Sequence, residues 1–471
     1  MKIWGSAQVL DESEIDEIYG KALKVLKEIG AKIENEWMIS RLVSEGAVQK
    51  QDSILSFPEH LIDDMVRNST PFDWGVVPHL NFTAGANPQY YMPAGTNEIY
   101  ENTLASIERL TILADRLDNI SRIHLMGAVS DVPPVLTPLY ARLFGWKHIV
   151  KSQLDCHEIW DNGTIEYVRE MIDVYKDDSG KSDDFLDEIV VYMISPLCLK
   201  EEEAKRFENC CKKGFHIRVS SLCSAGGTAP VTLAGAMVQN LAEMLLANFI
   251  DKVFYNEKTI SIYNRIGIMD MKHGMFPYGR PEIGITNLMM GQIAKYLKAN
   301  YNSNSFSADA KLPSSEAGMQ KSLSAITGII AGSTTFCTMG LLSVDEIISE
   351  EQLVIDNEFA GALKRLAAGC KINEETLAYD VLCEVGVGGF FAATEHTVNN
   401  YKTEHWQPDL FSRELYNKWS AEGKKTDRDK ATIRVRELLS LETPFGITSD
   451  CEKRLKKIIE NAKLAIDSKK W

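Results

Sequence analysis

The stretch Ser221–Pro230, with the sequence SLCSAGGTAP, joins two segments of different character. A short apolar run typical of a strand precedes it, and Val231–Phe249 follows as a helical pattern of small and apolar residues. Gly226 and Gly227 allow the backbone to approach a ligand, and Thr228 can cap the following helix, whose free N–H groups attract anions. The alternative is a tight β–α turn that needs glycine for its geometry alone.

The same order of strand, turn and helix recurs along the chain from about residue 115. Eight strands that alternate with helices favour a (β/α)8 TIM barrel, within the α/β class, over a doubly wound sheet. A doubly wound sheet would also need a dinucleotide loop, and Gly386–Gly389 lacks the third glycine of that fingerprint. The predicted strands are Ile123–Val129, His148–Gln153, Glu188–Ile194, His216–Ser221, Thr259–Tyr263, Asn304–Ser307, Thr334–Thr338 and Leu382–Val387.

Mainly helical additions are expected on both sides of this barrel. Asp11 with Glu14 resembles a capping box, and Gly30 suits the end of the first helix. We therefore predict an N-terminal cap region over residues 1–115, a TIM-barrel catalytic domain over 116–398 and a C-terminal helical cap over 399–471.

Composition limits the function classes. The 471 residues include 51 Lys and Arg against 66 Asp and Glu, a net charge of −15, which argues against a nucleic-acid partner. The apolar stretch Ser324–Val344 holds too many small and polar residues for a membrane span. Met1 is followed by no apolar signal segment, so we expect a cytoplasmic protein without a membrane partner. A homo-oligomer is also expected.

Polar residues near the predicted strand ends are candidates for the site, because a TIM barrel carries its active site at that end. Asp309 and Lys311 follow one strand directly, and Glu316 lies close behind them. Lys311 can act as a Schiff-base amine or a carboxylate partner; the alternative is an Asp–Lys ion pair that braces the loop. His396 can orient or contact a substrate. No HxH, HExxH or Cys pair is present, so the sequence predicts no metal site.

Aromatic residues in or beside predicted loops supply a further indication. Ring faces can enclose a quaternary ammonium group through cation–π attraction, at about 0.5–2 kcal/mol for each ring. Each ring taken singly can equally belong to the core. The candidates are Tyr90, Tyr91, Tyr100, Trp146, Phe390 and Phe391.

Several blocks together resemble the trimethylamine methyltransferase (MttB) superfamily over nearly the whole chain. The resemblance implies a TIM barrel that passes a methyl group from a methylated amine to the Co(I) of a cognate corrinoid protein. It implies no tightly bound cofactor, because the partner protein supplies the corrinoid (cobalamin). The blocks are Val129–Pro133, Gly226–Ala236, Asp309–Lys311, Gln352–Glu358, and Glu395–Thr397 with Trp406 and Pro408.

One departure bears on the substrate. Trimethylamine-specific members carry pyrrolysine at about Val344, whereas the segment Leu341–Asp345 holds only ordinary residues. The resemblance therefore implies a quaternary amine, with glycine betaine first and proline betaine or carnitine behind it. Loss of a methyl from a quaternary amine expels a neutral tertiary amine, so the reaction needs positioning and desolvation but no proton donor.

Two other functions remain open on the sequence. One is a Schiff-base lyase that acts through Lys311. The other is a non-catalytic betaine-binding or sensing protein that kept the barrel but lost corrinoid docking.

Overall fold

The computed structural model describes residues 2–180 and 188–468. The first residue of the predicted N-terminal cap and the last three of the predicted C-terminal cap lie outside the described residues. Within these ranges the protein has a mixed α/β fold, which confirms the predicted class.

Strands and helices alternate along most of the chain. The helices are α1 (Glu12–Lys24), α2 (Glu36–Ser44), α3 (Glu59–Arg67), α4 (Leu104–Asp115), α5 (Thr137–His148), α6 (Ile165–Ser179), α7 (Glu201–Lys212), α8 (Leu233–Tyr255), α9 (Pro281–Tyr296), α10 (Ser315–Ala331), α11 (Glu350–Ala368), α12 (Glu374–Leu377), α13 (Tyr379–Val385), α14 (Glu395–Glu404), α15 (Tyr416–Ala421), α16 (Asp427–Ser440) and α17 (Ser449–Asp467).

Most strands are short. The strands are β1 (Ala31–Ile33), β2 (Val48–Gln51), β3 (Ile54–Ser56), β4 (Asn81–Ala84), β5 (Tyr90–Met92), β6 (Tyr100–Glu101), β7 (Arg122–Ile123), β8 (Gln153–Leu154), β9 (Glu188–Met193), β10 (Cys198–Leu199), β11 (His216–Ser221), β12 (Cys223–Ala225), β13 (Ser261–Tyr263), β14 (Ile266–Ile268), β15 (Asn300–Asn302), β16 (Thr335–Met339), β17 (Leu341–Leu342) and β18 (Ile347–Ser349).

Local signals account for the helix boundaries. Asp11 and Glu14 form the predicted capping box at the start of α1, and the chain leaves this helix through a π-helical turn that ends at Gly30, with φ of +83°. The predicted helix Val231–Phe249 corresponds to α8. Helix α8 is long and apolar enough to cross a membrane, but 72% of its apolar window is buried inside the protein. It is therefore a core helix.

Parallel pairing orders the central strands. β16, β4, β7 and β8 form one sheet, and β9 pairs with β11, β12 with β14, and β13 with β15. The amide of Val190 donates to the His157 carbonyl at 3.1 Å, which links the segment after β8 to β9. The amide of Thr334 donates to Tyr301 at 3.0 Å, which links β15 to the residue before β16.

A seam separates β11 from β13, because no ladder among the described strands joins them. Two asparagines of α8 bind the free edge of β13 instead. The Asn248 side chain accepts from the Ser261 amide and donates to the Ser261 carbonyl, both at 2.9 Å. Asn240 donates to the Tyr263 carbonyl at 3.0 Å and accepts from the Arg265 amide at 2.8 Å. These bonds satisfy backbone groups that would otherwise be buried without partners.

Several strand predictions need correction. Only Ile123 of the predicted strand Ile123–Val129 and only Gln153 of His148–Gln153 lie in strands, and no residue of Asn304–Ser307 does. The predicted strand Leu382–Val387 is wrong, because this segment contains most of α13 and none of its residues is buried. An apolar run of this length fits either a strand or a helix. The sequence prediction also missed β4, which lies inside the predicted N-terminal cap yet pairs in parallel with β16 and β7.

The remaining elements lie around these strands. β10, β1, β3 and β2 form one small sheet, and β17, β18, β5 and β6 form another. Towards the C-terminus, α16 packs on α11 and α17 packs on α6 and α5. Among residues 369–409, all of which the structure describes, no side chain is buried.

Candidate active site

A polar cavity of about 180 Å³ lies among the central parallel strands. The alternation along β9 explains its lining: Ile189, Val191 and Met193 are buried, while Val190 and Tyr192 line the cavity. The cavity is smaller than the roughly 300–1,000 Å³ of sites for drug-sized ligands, so it suits a small substrate.

Arg265 places a positive charge in this cavity. It lies between β13 and β14, and its guanidinium carbon is 5.3 Å from the centre of the Tyr263 ring. Its Nε atom is buried and has no hydrogen-bond partner among the described residues. Because a buried guanidinium N–H without an acceptor is costly, this group is suited to an anionic ligand atom.

Two tyrosines lie within electrostatic reach of Arg265. Burial raises the pKa of the Tyr192 phenol to about 12; Glu158 adds to this rise and Arg265 opposes it. Burial likewise raises the pKa of Tyr278 to about 12, with Asp345 adding to the rise. Both phenols therefore stay neutral, and their ring faces can attract a cation.

Two histidines and a glutamate converge beside the cavity. His124 Nε2 lies 2.9 Å from Glu158 Oε1, and His157 Nε2 lies 3.3 Å from both of these atoms. Asp155 holds His157 through Nδ1 at 3.1 Å. Burial alone would lower the pKa of His157, but Glu158 and Asp155 outweigh it and raise that pKa to about 9.

Strained backbone marks the segment after β15, the end of β16 and the loop after β17. Phe306, Thr338, Ser343 and Val344 all have positive φ, between +52° and +69°. For a β-branched residue such as Val344 this conformation is unusual, and such strain persists only where the surroundings enforce it. Strained residues cluster at functional sites, which fits the position of these segments.

The predicted glycine turn is present, but Thr228 does not cap the following helix. Gly226 has φ of +89°, which favours glycine. The Thr228 hydroxyl accepts from the Ser224 amide at 2.9 Å, so this side chain closes the turn. The N-cap of α8 is Thr232, four residues after the predicted cap Thr228. Gly227 lies in the same turn, where Met269 and Phe276 approach its backbone.

Asp309 acts on the loop that carries Tyr278. Its two carboxylate oxygens accept from the amides of Tyr278 and Gly279, at 2.8 and 3.0 Å. The predicted ion pair with Lys311 is therefore wrong: Lys311 is exposed and donates to the Ser343 hydroxyl at 2.8 Å. Glu316 is exposed in the first turn of α10. Asp309 thus positions a tyrosine of the candidate site.

The aromatic residues of the N-terminal half do not form a shared cage. The Tyr91 hydroxyl donates to Glu350 Oε1 at 2.8 Å, so this residue has a structural partner. Trp146 is buried on α5 and stacks on Tyr175, with ring centres 4.6 Å apart. Tyr90 and Tyr100 are exposed on the neighbouring strands β5 and β6.

The aromatic residues of the C-terminal half lie away from the cavity lining as well. Phe390 is 76% exposed and Phe391 41% exposed, and both belong to the unburied residues 369–409. His396 lies in α14, where its nearest polar partner is Asn400. None of the three lines the cavity.

The family model for trimethylamine methyltransferase (MTTB) matches residues 2–466. The chain belongs to the MTTB family.

Relatives within the MTTB family differ in the substrate that their names record. The chain is 25% identical over 485 residues to the trimethylamine methyltransferase MttB1 of Methanosarcina mazei, with 95% of this chain and 94% of that protein covered. It is also 25% identical over 468 residues to the glycine betaine methyltransferase of Desulfitobacterium hafniense, with 96% of each covered. The monomethylamine methyltransferase of Methanosarcina barkeri aligns with a TM-score of 0.43 and 12% identity, over 98% of this chain and 95% of that one.

The MTTB-family block Gln352–Glu358 lies in α11 and is buried at most of its positions. Asp356 accepts from Lys321 Nζ at 2.8 Å and from the Gly340 amide at 2.7 Å, and Gln352 donates to it at 2.8 Å. Lys321 also donates to the Phe306 carbonyl at 2.8 Å. The block therefore fixes the strained segment after β15 and the chain just beyond β16.

A larger cleft of about 610 Å³ lies elsewhere, between α11 and the C-terminal residues. Charged side chains of both signs line it, including Asp118, Lys418 and Glu437. Its lining lies on helices and on segments between helices rather than on the central parallel strands, so we place the candidate site in the smaller cavity.

The sequence prediction missed six residues of this region. Tyr192, Arg265 and His157 line the cavity, His124 and Glu158 lie beside His157, and Tyr278 lies within electrostatic reach of Arg265. Alternation within the run Glu188–Ile194 could have indicated Tyr192 as an inward residue. The other five follow strands whose ends were uncertain in the sequence, so their common location required the structure.

The acid Asp251 gives the cavity an expected pH dependence. Burial raises the pKa of Asp251 to about 8, which Glu188 and Glu257 reinforce and Arg218 opposes. A folded-state pKa above the unfolded value means that stability is greatest at low pH and falls as pH rises from about 4 towards 8. Asn mimics the protonated acid, so we expect Asp251→Asn to gain about 1–2 kcal/mol relative to wild type between pH 5 and pH 8.

Urea unfolding at the two pH values measures this change. The estimate is below the full linkage value because the cavity beside the carboxyl admits water. Equal differences between variant and wild type at pH 5 and pH 8 would contradict it.

Proposed function

We propose that this protein transfers a methyl group from a quaternary amine, with glycine betaine as the first candidate, to the Co(I) of a cognate corrinoid protein. The coarser assignment, a methyltransferase of the MTTB family, follows from the family match. The proposal of a quaternary amine that bears a carboxylate rests on Arg265. Its Nε has no hydrogen-bond partner among the described residues, and its side chain lines the same cavity as Tyr192. A cation and a carboxylate in one small substrate would complement this pair.

In the proposed arrangement, the two ends of the substrate bind different side chains of the cavity region. Arg265 would bind the carboxylate, and the rings of Tyr192 and Tyr278 would attract the quaternary ammonium group. Asp309 would position Tyr278 through the backbone bonds described above. Co(I) would attack the methyl carbon, and the C–N electron pair would remain on nitrogen to give dimethylglycine. The protein's contribution would be orientation and desolvation.

We infer that the eight central parallel strands form a TIM barrel with a partly opened wall. The order β4, β7, β8, β9, β11, β13, β15 and β16 is supported by the ladders and by the two linking hydrogen bonds. We also propose three parts: an N-terminal cap region, a barrel and a C-terminal helical cap, with β4 as the first strand of the barrel. A cytoplasmic homo-oligomer with no nucleic-acid or membrane partner belongs to the same proposal.

The substrate proposal rests on two further points. No pyrrolysine stands at or near Val344, and a relative that covers almost the whole chain is named a glycine betaine methyltransferase. Proline betaine and carnitine share the cation and the carboxylate, so they are the next candidates. Lys311 is a poor Schiff-base amine, because it is exposed and bonded to Ser343 rather than enclosed in an apolar or cationic pocket.

An anaerobic methyl-transfer assay tests the proposed function. The protein is mixed with cob(I)alamin or its corrinoid protein, and glycine betaine, proline betaine, carnitine or trimethylamine is added separately. We expect methylcobalt absorbance with a carboxylate-bearing quaternary amine and none with trimethylamine. Betaine binding without methylation of any supplied corrinoid would favour the sensing protein instead.

A ring substitution tests the cation site. We expect Tyr192→Leu to weaken glycine betaine binding by about 2- to 30-fold, the equivalent of roughly 0.5–2 kcal/mol of cation–π attraction. Tyr192→Phe keeps the ring face and serves as the matched control, with a dissociation constant within about twofold of wild type. Titration calorimetry measures both dissociation constants. If Tyr192→Leu and Tyr192→Phe weaken glycine betaine binding equally, the ring face of Tyr192 does not bind the cation.

A further inference from the structure

We propose that His124, His157 and Glu158 form a binding site for one divalent metal ion of the Zn²⁺ class, with a free coordination position. This inference does not depend on the proposed methyl transfer. The sequence prediction of no metal site could not anticipate it, because the ligands follow two different strands and His124 and His157 stand 33 positions apart.

The distances among the three ligand atoms fit a metal ion. His124 Nε2, His157 Nε2 and Glu158 Oε1 are separated by 2.9, 3.3 and 3.3 Å. Metal–ligand bonds of about 2.0–2.1 Å in a tetrahedron give ligand separations of about 3.3 Å. An ion at such bond lengths from all three atoms would lie about 0.9 Å outside their plane, with its fourth position unfilled.

Hydrogen bonding alone accounts poorly for this arrangement. Both imidazole Nε2 atoms can donate to the same Glu158 oxygen, but two N–H groups would then face each other at 3.3 Å. Glu158 Oε2 and His124 Nδ1 are buried and have no hydrogen-bond partner among the described residues. The side chains of His124 and Glu158 are only 9% and 7% exposed, so water satisfies them poorly.

The surrounding groups hold the proposed ligands in place. Asp155 accepts from His157 Nδ1 at 3.1 Å, so His157 Nε2 can bind a metal once the ion displaces the proton on that nitrogen. Buried Arg142 donates to the carbonyls of Cys156 and Glu158, at 2.8 and 3.1 Å. The ligand segment is therefore fixed before an ion binds. His157 also lines the polar cavity, so an oxygen atom of a small molecule could complete the coordination.

Nitrogen and carboxylate ligands select the class of ion. Two imidazoles with one carboxylate suit Zn²⁺ and its first-row neighbours, whereas Mg²⁺ and Ca²⁺ prefer oxygen ligands alone. Zn²⁺ is therefore the probe, and Co²⁺ is its spectroscopic substitute.

Metal binding by the full-length protein tests the proposal. Protein stripped with a chelator is dialysed against Zn²⁺, and bound metal is counted by mass spectrometry. We expect close to one Zn²⁺ per chain, a higher Tm with Zn²⁺, and visible tetrahedral bands with Co²⁺. His124→Gln and His157→Gln should each weaken binding at least tenfold, and Asp155→Asn by about 10- to 100-fold.

Two variants guard against misreading. His216→Gln changes another histidine of the same cavity and should bind Zn²⁺ as wild type does. Glu158→Gln replaces a ligand conservatively and should lose binding even where a histidine variant fails to fold. Less than a tenth of an equivalent of Zn²⁺ in wild type, or unchanged binding in His124→Gln/His157→Gln with a native circular dichroism spectrum, would overturn the proposal.

Discussion

Asp356→Ala is expected to lower the free energy of unfolding by about 3–5 kcal/mol, because it leaves the Lys321 ammonium buried without its counter-charge. Both side chains are fully buried and lie 2.8 Å apart. The substitution also removes the acceptor of the Gly340 amide and of the Gln352 side chain. Urea unfolding of the purified variant measures the loss directly.

A second variant separates the buried charge from the packing. In Lys321→Met/Asp356→Leu both charges are replaced by apolar side chains of similar length, and such exchanges are often neutral or stabilising. We expect the double variant to recover the part of the loss that comes from the unpaired ammonium, but not the part that comes from the Gly340 amide and the Gln352 side chain, which still lack their acceptor. A loss below about 1 kcal/mol in the single variant would contradict the importance of the pair.

Arg265→Met is expected to weaken glycine betaine binding by roughly 10- to 150-fold, the equivalent of about 1.5–3 kcal/mol for hydrogen bonds to a charged group. Choline has the same cation but no carboxylate, so its affinity should change little. The ratio of the two dissociation constants, measured by titration calorimetry, therefore isolates the contact between Arg265 and the carboxylate.

Arg265→Lys supplies the matched control for charge. It keeps the positive charge but loses the planar pair of donors, so an intermediate affinity for betaine is expected. If Arg265→Met weakens choline and betaine equally, the residue shapes the cavity and does not recognise the carboxylate.

The sequence predicted the α/β class and most of the strand and helix alternation, because β–α units leave strong local patterns. Its errors concern the short strands. β4 was missed because Pro, Gly and Asn surround it, and the apolar run at 382–387 was read as a strand although it is an exposed helix. Period and propensity do not distinguish such short segments.

The candidate site was less predictable than the fold. Glycine, aspartate and aromatic residues near strand ends were reasonable candidates, but Trp146 packs in the core and Tyr91 is bonded to Glu350. Which rings share a cavity depends on strand order and on inward alternation. Arg265 and His157 come together through contacts between distant segments, so no local spacing could indicate them.

At the seam between β11 and β13, side chains of a helix help to position a strand. Asn240 and Asn248 are eight residues apart, so they stand on one face of α8 and meet successive points of the β13 edge. The helix thereby fixes the second edge of a strand whose first edge is held in register by its ladder with β15. We therefore expect relatives of this chain to keep both asparagines where the strands equivalent to β11 and β13 are unpaired. Where a ladder joins those strands, the two positions should be free to vary.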